Sequence, residues 1–448
     1  MRNQYDVVII GGGPGGVTTA LSCRGIYPDK NVLLIRREEK PMIPCGIPYT
    51  LNTLNSVEEN ILPDAPLINK KVDILVDTVT EVGDHILKVE GGDEIKWSKL
   101  VIATGSSPVI LPIEGKDLGN VFTVPKNAEK IKEIKGAIEN ANDIVVIGGG
   151  FIGVEVTDEL LKKGKSVTLI EKESYLVSAS MDEEFGEEIK NTLVERGANV
   201  ICNATVKALK GENKVNSVLL ETGKEIKADV VIMAAGYRPN LKIAEMLNIE
   251  YHPTYGIITD DFQRTSKTDI FAVGDVAAKR HFLSGKYSLL MLASTAMSQG
   301  RIVGSNLFDI KAIKGVGGFL GTFSTKIGNT AFAATGITEK QAKQIGIEYV
   351  VGYNEAIDRH PGKLPGAHKQ KMKLIFSKYG HVLIGAQVSG GDSIGEMINL
   401  LTLMIQNRMT DAYIKTTQIG THPLLTASPI AYPLINATVD AILKRHEG

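Results

Sequence analysis

Short β-branched runs, glycine clusters and stretches at helical spacing alternate along the chain. Val8-Ile9-Ile10 leads into Gly11-Gly12-Gly13-Pro14-Gly15-Gly16, then a helical stretch, then a second apolar run from Val32 to Ile35. The same succession returns as Val145-Val146-Ile147, Gly148-Gly149-Gly150-Phe151-Ile152-Gly153 and Val167 to Ile170. Apolar runs of this length, bounded by glycine and alternating with helix, predict β-α-β units with parallel strands. Two copies predict two nucleotide sites.

Further strands are expected at Leu100 to Ala103, running into Ala103-Thr104-Gly105, at Val230 to Ala234 before the turn Gly236-Tyr237-Arg238-Pro239-Asn240, and at Ile270 to Val273, closing on Gly274-Asp275. Pro108 to Pro112 marks a crossing between domains, with the first boundary near Gly115. From about Gly321 the texture changes to strand-like runs at Tyr349 to Tyr353, Lys371 to Phe376 and His381 to Ala386, followed by amphipathic helix. Within Asp392 to Met409, Ile394, Met397, Ile398, Leu401, Met404 and Ile405 fall at helical spacing, so one face is buried in a core or a subunit contact. A last helix is expected from Ala427 to Leu443.

The glycines carry specific duties. In G-x-G-x-x-G the first permits a tight turn, the second lets backbone approach a pyrophosphate, and the third allows close helix packing, while the helix N-terminus faces the phosphates. Gly11, Gly13 and Gly16 fit these roles, and so do Gly148, Gly150 and Gly153. An acidic residue at the end of the second strand normally accepts a hydrogen bond from the adenosine ribose. Glu171 stands there, eighteen residues after Gly153, which favours NADH, although Lys172 beside it leaves NADPH open. In the first copy the position falls to Arg36, twenty residues after Gly16, and arginine cannot accept that bond. Glu38 takes its place past a kinked strand end, or Arg36 stacks on the adenine, or Arg36 is only a solvated strand-end charge.

Composition narrows the partners. The 448 residues exceed what one core organises, and 43% hydrophobic with 23% charged residues describes a globular chain. No run of eighteen apolar residues and no signal-peptide pattern occurs, so a cytoplasmic protein without membrane attachment is expected. A formal charge of −1 leaves no footprint for nucleic acid. Cys23, Cys45 and Cys202 are too few and too scattered for a disulfide scaffold or a metal cage, and no metal site is expected. Cys23 and Cys202 read as core residues.

Both glycine fingerprints, Ala103-Thr104-Gly105, Gly236 to Asn240 and Thr265 to Asp275 together resemble the FAD-dependent pyridine nucleotide-disulfide oxidoreductases over essentially the whole chain. The resemblance implies two doubly wound, Rossmann-like α/β domains and a C-terminal α+β interface domain that forms a homodimer. The expected boundaries are 1–115 and 246–320 for a split FAD domain, 116–245 for an inserted NAD domain and 321–448 for the interface domain. It also implies that Asp275 binds the ribityl chain of FAD and that a helix over residues 285–301 points its N-terminus at the flavin. FAD is assigned Gly11, Gly13, Pro14, Gly16, Arg36, Arg37, Pro44, Val79, Ala103, Thr104, Gly105, Gly274 and Asp275. The nicotinamide dinucleotide is assigned Gly148, Gly150, Phe151, Ile152, Gly153, Glu155, Glu171 and Gly236.

Pro44-Cys45-Gly46-Ile47-Pro48-Tyr49 resembles the single-cysteine branch, which comprises coenzyme A disulfide reductases, NADH oxidases, NADH peroxidases and polysulfide reductases. The two-cysteine branch has a second cysteine where Thr50 stands, so Cys45 must cycle through a mixed disulfide, a persulfide or a sulfenic acid. A helix start at this glycine-containing segment would lower the Cys45 pKa. Pro14 occupies the position where the single-cysteine oxidases and peroxidases that the chain resembles often carry a histidine, which counts against a dedicated peroxidase. Thr421-His422-Pro423 resembles the His-Pro of two-cysteine reductases, whose histidine serves the partner subunit's site, but the usual acid five positions later is Ala427. His422 is thus either a proton donor or a loop histidine, and His360 and His368 are alternatives for lining the acceptor pocket.

The expected function is an NAD(P)H oxidoreductase that uses FAD and Cys45 to reduce a small disulfide or polysulfide. An NADH oxidase acting on oxygen, and an electron-delivery or redox-sensing dimer serving a protein partner, are the alternatives.

Overall fold

A computed structural model describes residues 2–315 and 317–447. The described residues fall into two compact units, one drawn from Met1–Pro112, Gly119–Ala141 and Ile232–Phe319, the other from Ile113–Leu118, Asn142–Val231 and Leu320–Gly448.

In the first unit β1 (Gln4–Ile10), α1 (Pro14–Ile26) and β2 (Val32–Arg36) form the expected β-α-β unit. With β3 (Asp73–Val76), β4 (Val79–Gly83), β5 (Ile86–Val89) and β6 (Glu94–Ile102) they build a sheet in the order β3-β2-β1-β6-β5-β4, and Ile270–Ala272 adds to β6. The β3, β2, β1 and β6 neighbours run parallel, whereas β4 and β5 are an antiparallel addition. Because side chains alternate along a strand, Val8 and Ile10 enter one core while Val7 and Ile9 enter another on the opposite face. A sheet buried on both faces is why the sequence reads as continuous apolar runs here.

The helix Ala293–Asn306 packs along α1. Their approach is close: a Cβ on Gly300 would lie 2.7 Å from Gly15 O, and one on Gly304 would lie 2.6 Å from Ser22 Cβ. This helix starts eight residues later than the expected 285. Lys279–Arg280 and Tyr287–Ser288 pair as a hairpin instead, turned at Gly285 with φ 66°.

In the second unit the strands Asp143–Ile147, Ser166–Ile170 and Asn199–Ile201 pair in parallel around the helix Phe151–Lys162, as the second repeat predicts. The C-terminal part is a five-stranded antiparallel sheet, in the order Thr322–Ile327, Thr330–Gly336, Leu383–Gly390, Lys369–Ser377 and Tyr349–Ile357. The helix Ile394–Gln406 buries Ile394, Ile398, Leu401, Met404 and Ile405, while Met397 stays partly exposed. The last helix runs Pro433–Glu447, later than expected, because Pro429 and Pro433 withhold the N–H groups an earlier start needs.

Candidate active site

The first fingerprint turn is built by steric necessity. Gly11 has φ 125°, and a Cβ there would sit 2.1 Å from Ala103 O. One on Gly16 would sit 2.0 Å from Gly11 O, so the turn, β6 and α1 can close only with glycine at both places. At Gly13 a Cβ would meet nothing within 4 Å, and Gly13 caps α1 with no side chain satisfying the first-turn N–H groups. Open space beside unsatisfied donors at the positive end of a 13-residue helix is a cradle for a pyrophosphate. Pro14 opens the helix, which suits a residue with no N–H to satisfy.

Arg36 is not a solvated strand-end charge. It is 3% exposed, and its two terminal nitrogens donate to Asp64 at 2.5 and 2.6 Å, one of them also to Glu39 O at 3.1 Å. Its stem covers the turn, with Cδ 2.8 Å from where a Cβ on Gly12 would be. Arg37 is exposed and pairs with Glu38 at 3.6 Å. The Val79 side chain lies in the core of the first unit.

The second turn repeats the design with opposite charge. Gly148 has φ 110°, Gly150 opens onto empty space at the cap of the Phe151 helix, and Gly153 is buried. The Glu171 carboxylate accepts from Gly149 N–H at 2.5 Å and from Glu173 N–H at 2.8 Å, so it is fixed on the turn. Phe151 stacks on Phe323, ring centroids 5.2 Å apart. Ile152 is partly buried beside it in sequence. Three residues on, Glu155 accepts from the Thr325 hydroxyl at 2.8 Å, and burial pushes its pKa up to about 7 despite that bond.

Asp275 is the polar hub of the first unit. Burial alone would raise its pKa, but the Lys126 and Lys279 ammonium groups outweigh that and hold it below the usual carboxylate range. The Ser106 hydroxyl at 2.6 Å and Lys126 Nζ at 2.8 Å both donate to Oδ2. Lys279 is fully buried, its Nζ donates to Gly274 O at 2.5 Å, and burial pulls its pKa down to about 8. Gln299, from the Ala293 helix, accepts from Gly274 N–H at 2.9 Å and donates to Gln263 at 2.6 Å. Thr104 and Asn240 exchange two hydrogen bonds, of 3.0 and 2.8 Å, which ties Ala103-Thr104-Gly105 to the turn carrying Gly236. Sequence reading missed Ser106, Lys126, Lys279 and Gln299, because partners up to 169 residues apart show no local pattern.

Cys45 is exposed. It sits in a 3-10 turn, Pro44–Gly46, followed by a second, Pro48–Leu51. The expected helix start is absent: two prolines four residues apart break the segment, and turns of three and four residues supply no helix dipole. Cys23 is buried and burial pushes its thiol up to about 12. Cys202, expected in the core, is only half-buried, because it follows the short strand Asn199–Ile201 at its end.

His422 is exposed, and its Nδ1 accepts from Leu424 N–H at 3.2 Å. In the neutral ring the proton therefore sits on Nε2. Its segment is joined by the His360 segment, since His360 N–H donates to Pro423 O at 3.1 Å and its Nδ1 lies 3.1 Å from Thr426 O. His368 instead lies beside Asp358, 3.6 Å away.

Residues 5–300 match the model of the pyridine nucleotide-disulphide oxidoreductases, and residues 322–430 match the dimerisation domain of the same group. The chain belongs to this family. Members of it use FAD and NAD(P)H, and so does this oxidoreductase. The NAD(P)H sulfur oxidoreductase (CoA-dependent) of Pyrococcus abyssi is 30% identical over 425 residues, covering 92% of this chain and 94% of the relative. An NADH oxidase of Methanocaldococcus jannaschii is 29% identical over 98% of both chains. Among solved structures, an NAD-dependent persulfide reductase from A. fulgidus superimposes with a TM-score of 0.92 at 30% identity, over 98% of this chain and 84% of that one. As the repeat and the motifs predict, this is a pyridine nucleotide-disulphide oxidoreductase with two glycine-rich strand-to-helix turns and a dimerisation domain. Among the described residues no helix is long and apolar enough to cross a membrane.

Proposed function

We propose that this oxidoreductase reduces a low-molecular-weight disulfide, persulfide or polysulfide with electrons from NAD(P)H, using Cys45 as its redox sulfur. The observation that carries the reading is an exposed Cys45, on a short 3-10 turn of the unit that holds the Gly13 cradle and Asp275. Relatives matched over 94% and 84% of their length are named as a sulfur oxidoreductase and a persulfide reductase.

FAD fits the first unit. Its pyrophosphate would meet the open α1 terminus at Gly13, and its ribityl hydroxyls would meet Asp275, whose carboxylate is partly buried and kept ionised by two lysines. Bound there, FAD supplies two-electron transfer between the nicotinamide and sulfur. Gly148 to Gly153, Glu155 and Glu171, within residues 116–245, would hold the nicotinamide dinucleotide; a carboxylate at Glu171 favours NADH.

The chain's residues then act on sulfur. The Cys45 thiolate attacks one sulfur of the disulfide, forming a mixed disulfide and expelling one thiolate. His422 Nε2–H, from the second copy in a homodimer, protonates that leaving group. Two electrons reduce the mixed disulfide, releasing the second thiol and restoring Cys45. The overall balance is NADH, one proton and one disulfide to NAD+ and two thiols.

Steady-state assays with coenzyme A disulfide, glutathione disulfide and polysulfide test the reading. At least one should support turnover that Cys45→Ser abolishes. If all three are inert while NADH still bleaches the flavin, the reading is wrong. Oxygen uptake that depends on NADH would then favour the oxidase reading, which the Methanocaldococcus relative keeps in view.

A further inference from the structure

The turn that carries Cys45 is gripped by one buried side chain. Asn60 is 3% exposed and ends the short turn Val57–Asn60. Its Nδ2 donates to Ile43 O at 3.0 Å. That carbonyl also closes the Cys45 turn itself, accepting from Gly46 N–H at 3.1 Å. On the far side of the cysteine, a Cβ on Gly46 would lie 1.9 Å from Asn60 Oδ1 and 2.9 Å from its Cγ, so the amide occupies the space a side chain would need. The backbones are joined as well, Ile43 N–H donating to Asn60 O at 2.9 Å and Leu62 N–H to Pro41 O at 2.8 Å. The helix Ala128–Glu139 braces the Asn60 turn, through Lys132 to Glu58 at 2.8 Å, and the turn Pro48–Leu51 that follows the Cys45 turn, through Lys135 to Thr50 O.

We infer that Asn60 is the positioning residue of the redox turn, holding Ile43 on one side of Cys45 and Gly46 on the other, so that the sulfur keeps one orientation. The inference rests on the reading of Cys45 as the redox sulfur. Physically, a turn too short to stabilise a thiolate by its dipole must do so through a few backbone donors at fixed positions, and those are lost when the turn relaxes. An amide suits the task because it donates to a carbonyl and packs flat against a glycine without adding charge.

The test compares wild type, Asn60→Ala, Gly46→Ala, the double variant Gly46→Ala/Asn60→Ala, and Cys45→Ser, all flavin-loaded in a Cys202→Ser background so that Cys45 is the reactive thiol. Two readouts are taken: the long-wavelength charge-transfer absorbance in an anaerobic NADH titration, and the pH dependence of iodoacetamide alkylation. Asn60→Ala should keep its flavin, lose at least about half of the absorbance, and shift the alkylation midpoint up by about one pH unit, a roughly tenfold loss of thiolate at neutral pH. Gly46→Ala should lose the absorbance, and adding Asn60→Ala should restore part of it by clearing the clash. If Asn60→Ala does not retain flavin, Asn60→Leu keeps the approximate volume, removes the donor without adding charge and is held to the same two readouts. Wild-type absorbance and midpoint in the Asn60 variants, or no recovery in the double variant, overturn the inference. A different result sinks the underlying reading: no charge-transfer absorbance in wild type and no change in Cys45→Ser. The alkylation midpoint still decides the role of Asn60 in that case.

Discussion

Glu155 and Lys279 show what burial does to single charges in this protein, with opposite signs. Glu155 has its pKa raised to about 7 by burial, so between its unfolded value and pH 7 the native state holds a proton the unfolded chain has released. Stability must fall as pH rises through that window, by about 3 kcal/mol at roughly 1.4 kcal/mol per unit. Denaturant midpoints measured from pH 4.5 to 8 should therefore decline for wild type relative to Glu155→Gln, and parallel curves would show that the carboxyl ionises normally. Lys279 is the reverse case. Its pKa is pulled down to about 8, so between pH 8 and its unfolded value the unfolded chain holds the extra proton and stability rises with pH. Wild type should gain about 3 kcal/mol on Lys279→Met over pH 8 to 10.5, while the variant, lacking the bond to Gly274 O, should retain FAD less tightly at pH 7. Equal FAD dissociation in the two proteins would remove Lys279 from any part in shaping the Asp275 site.

At the scale of elements, α1 and the Ala293 helix depend on glycine for their spacing. At Gly304 a side chain would press on Ser22 Cβ at 2.6 Å, Thr19 O at 2.7 Å and Cys23 N at 2.9 Å, and two of these three are backbone atoms that cannot swing aside. Gly304→Val should cost about 1–3 kcal/mol, lower the melting temperature by on the order of 5 °C, and reduce flavin retention, because the same helix carries Gln299 to Gly274. A melting curve that superimposes on wild type would show that the helices can part without penalty. None of this was visible in the sequence, where Gly300 and Gly304 sit in an ordinary helical stretch. What was legible came from local periodicity: the two fingerprints, their strands, and the buried face of the helix Ile394–Gln406 followed from runs and spacings that act within a few residues. What was not legible depends on distant partners or on prolines. Asp64 neutralises Arg36 across 28 residues, Asn60 reaches Ile43 across 17, and Pro44 and Pro48 turn an anticipated helix start into two 3-10 turns. The candidate site was thus readable as a set of motifs, while the side chains that hold those motifs in place were not.

At the scale of the whole molecule, the second unit joins the half that carries the second glycine turn to the C-terminal sheet, and one buried lysine stands at the junction. Lys373, on the strand Lys369–Ser377, is 4% exposed and faces Asp182 at 3.0 Å, Glu339 at 2.6 Å and Glu184. Gln387 from the neighbouring strand both donates to Asp182 and accepts from its N–H, each at 2.6 Å, and Asp182 also accepts from Glu339 N–H at 3.1 Å. Three carboxylates in ligating reach of one another suggest a cation, and the lysine ammonium is that cation. Burial alone would lower its pKa, but Glu184, Glu339 and Asp182 outweigh it and raise the value above the ordinary lysine range. A raised pKa contributes stability that is fully present below the unfolded value, near 10.4, and is lost as pH climbs through the folded one. Lys373→Met removes the cation and leaves the buried Asp182 carboxylate without it, while solvent screens the more exposed Glu184 and Glu339, so it should cost about 3 kcal/mol at pH 7, more than any exposed pair in the chain. Adding Asp182→Asn, Glu184→Gln and Glu339→Gln should return much of that loss, because a neutral cluster has no uncompensated charge. The gap between wild type and Lys373→Met, followed by denaturant unfolding, should stay level from pH 7 to 9 and begin to close only above about pH 10.4. A gap already closing near pH 8, or none at neutral pH, would mean that Lys373 has no part in holding the two halves of this unit together.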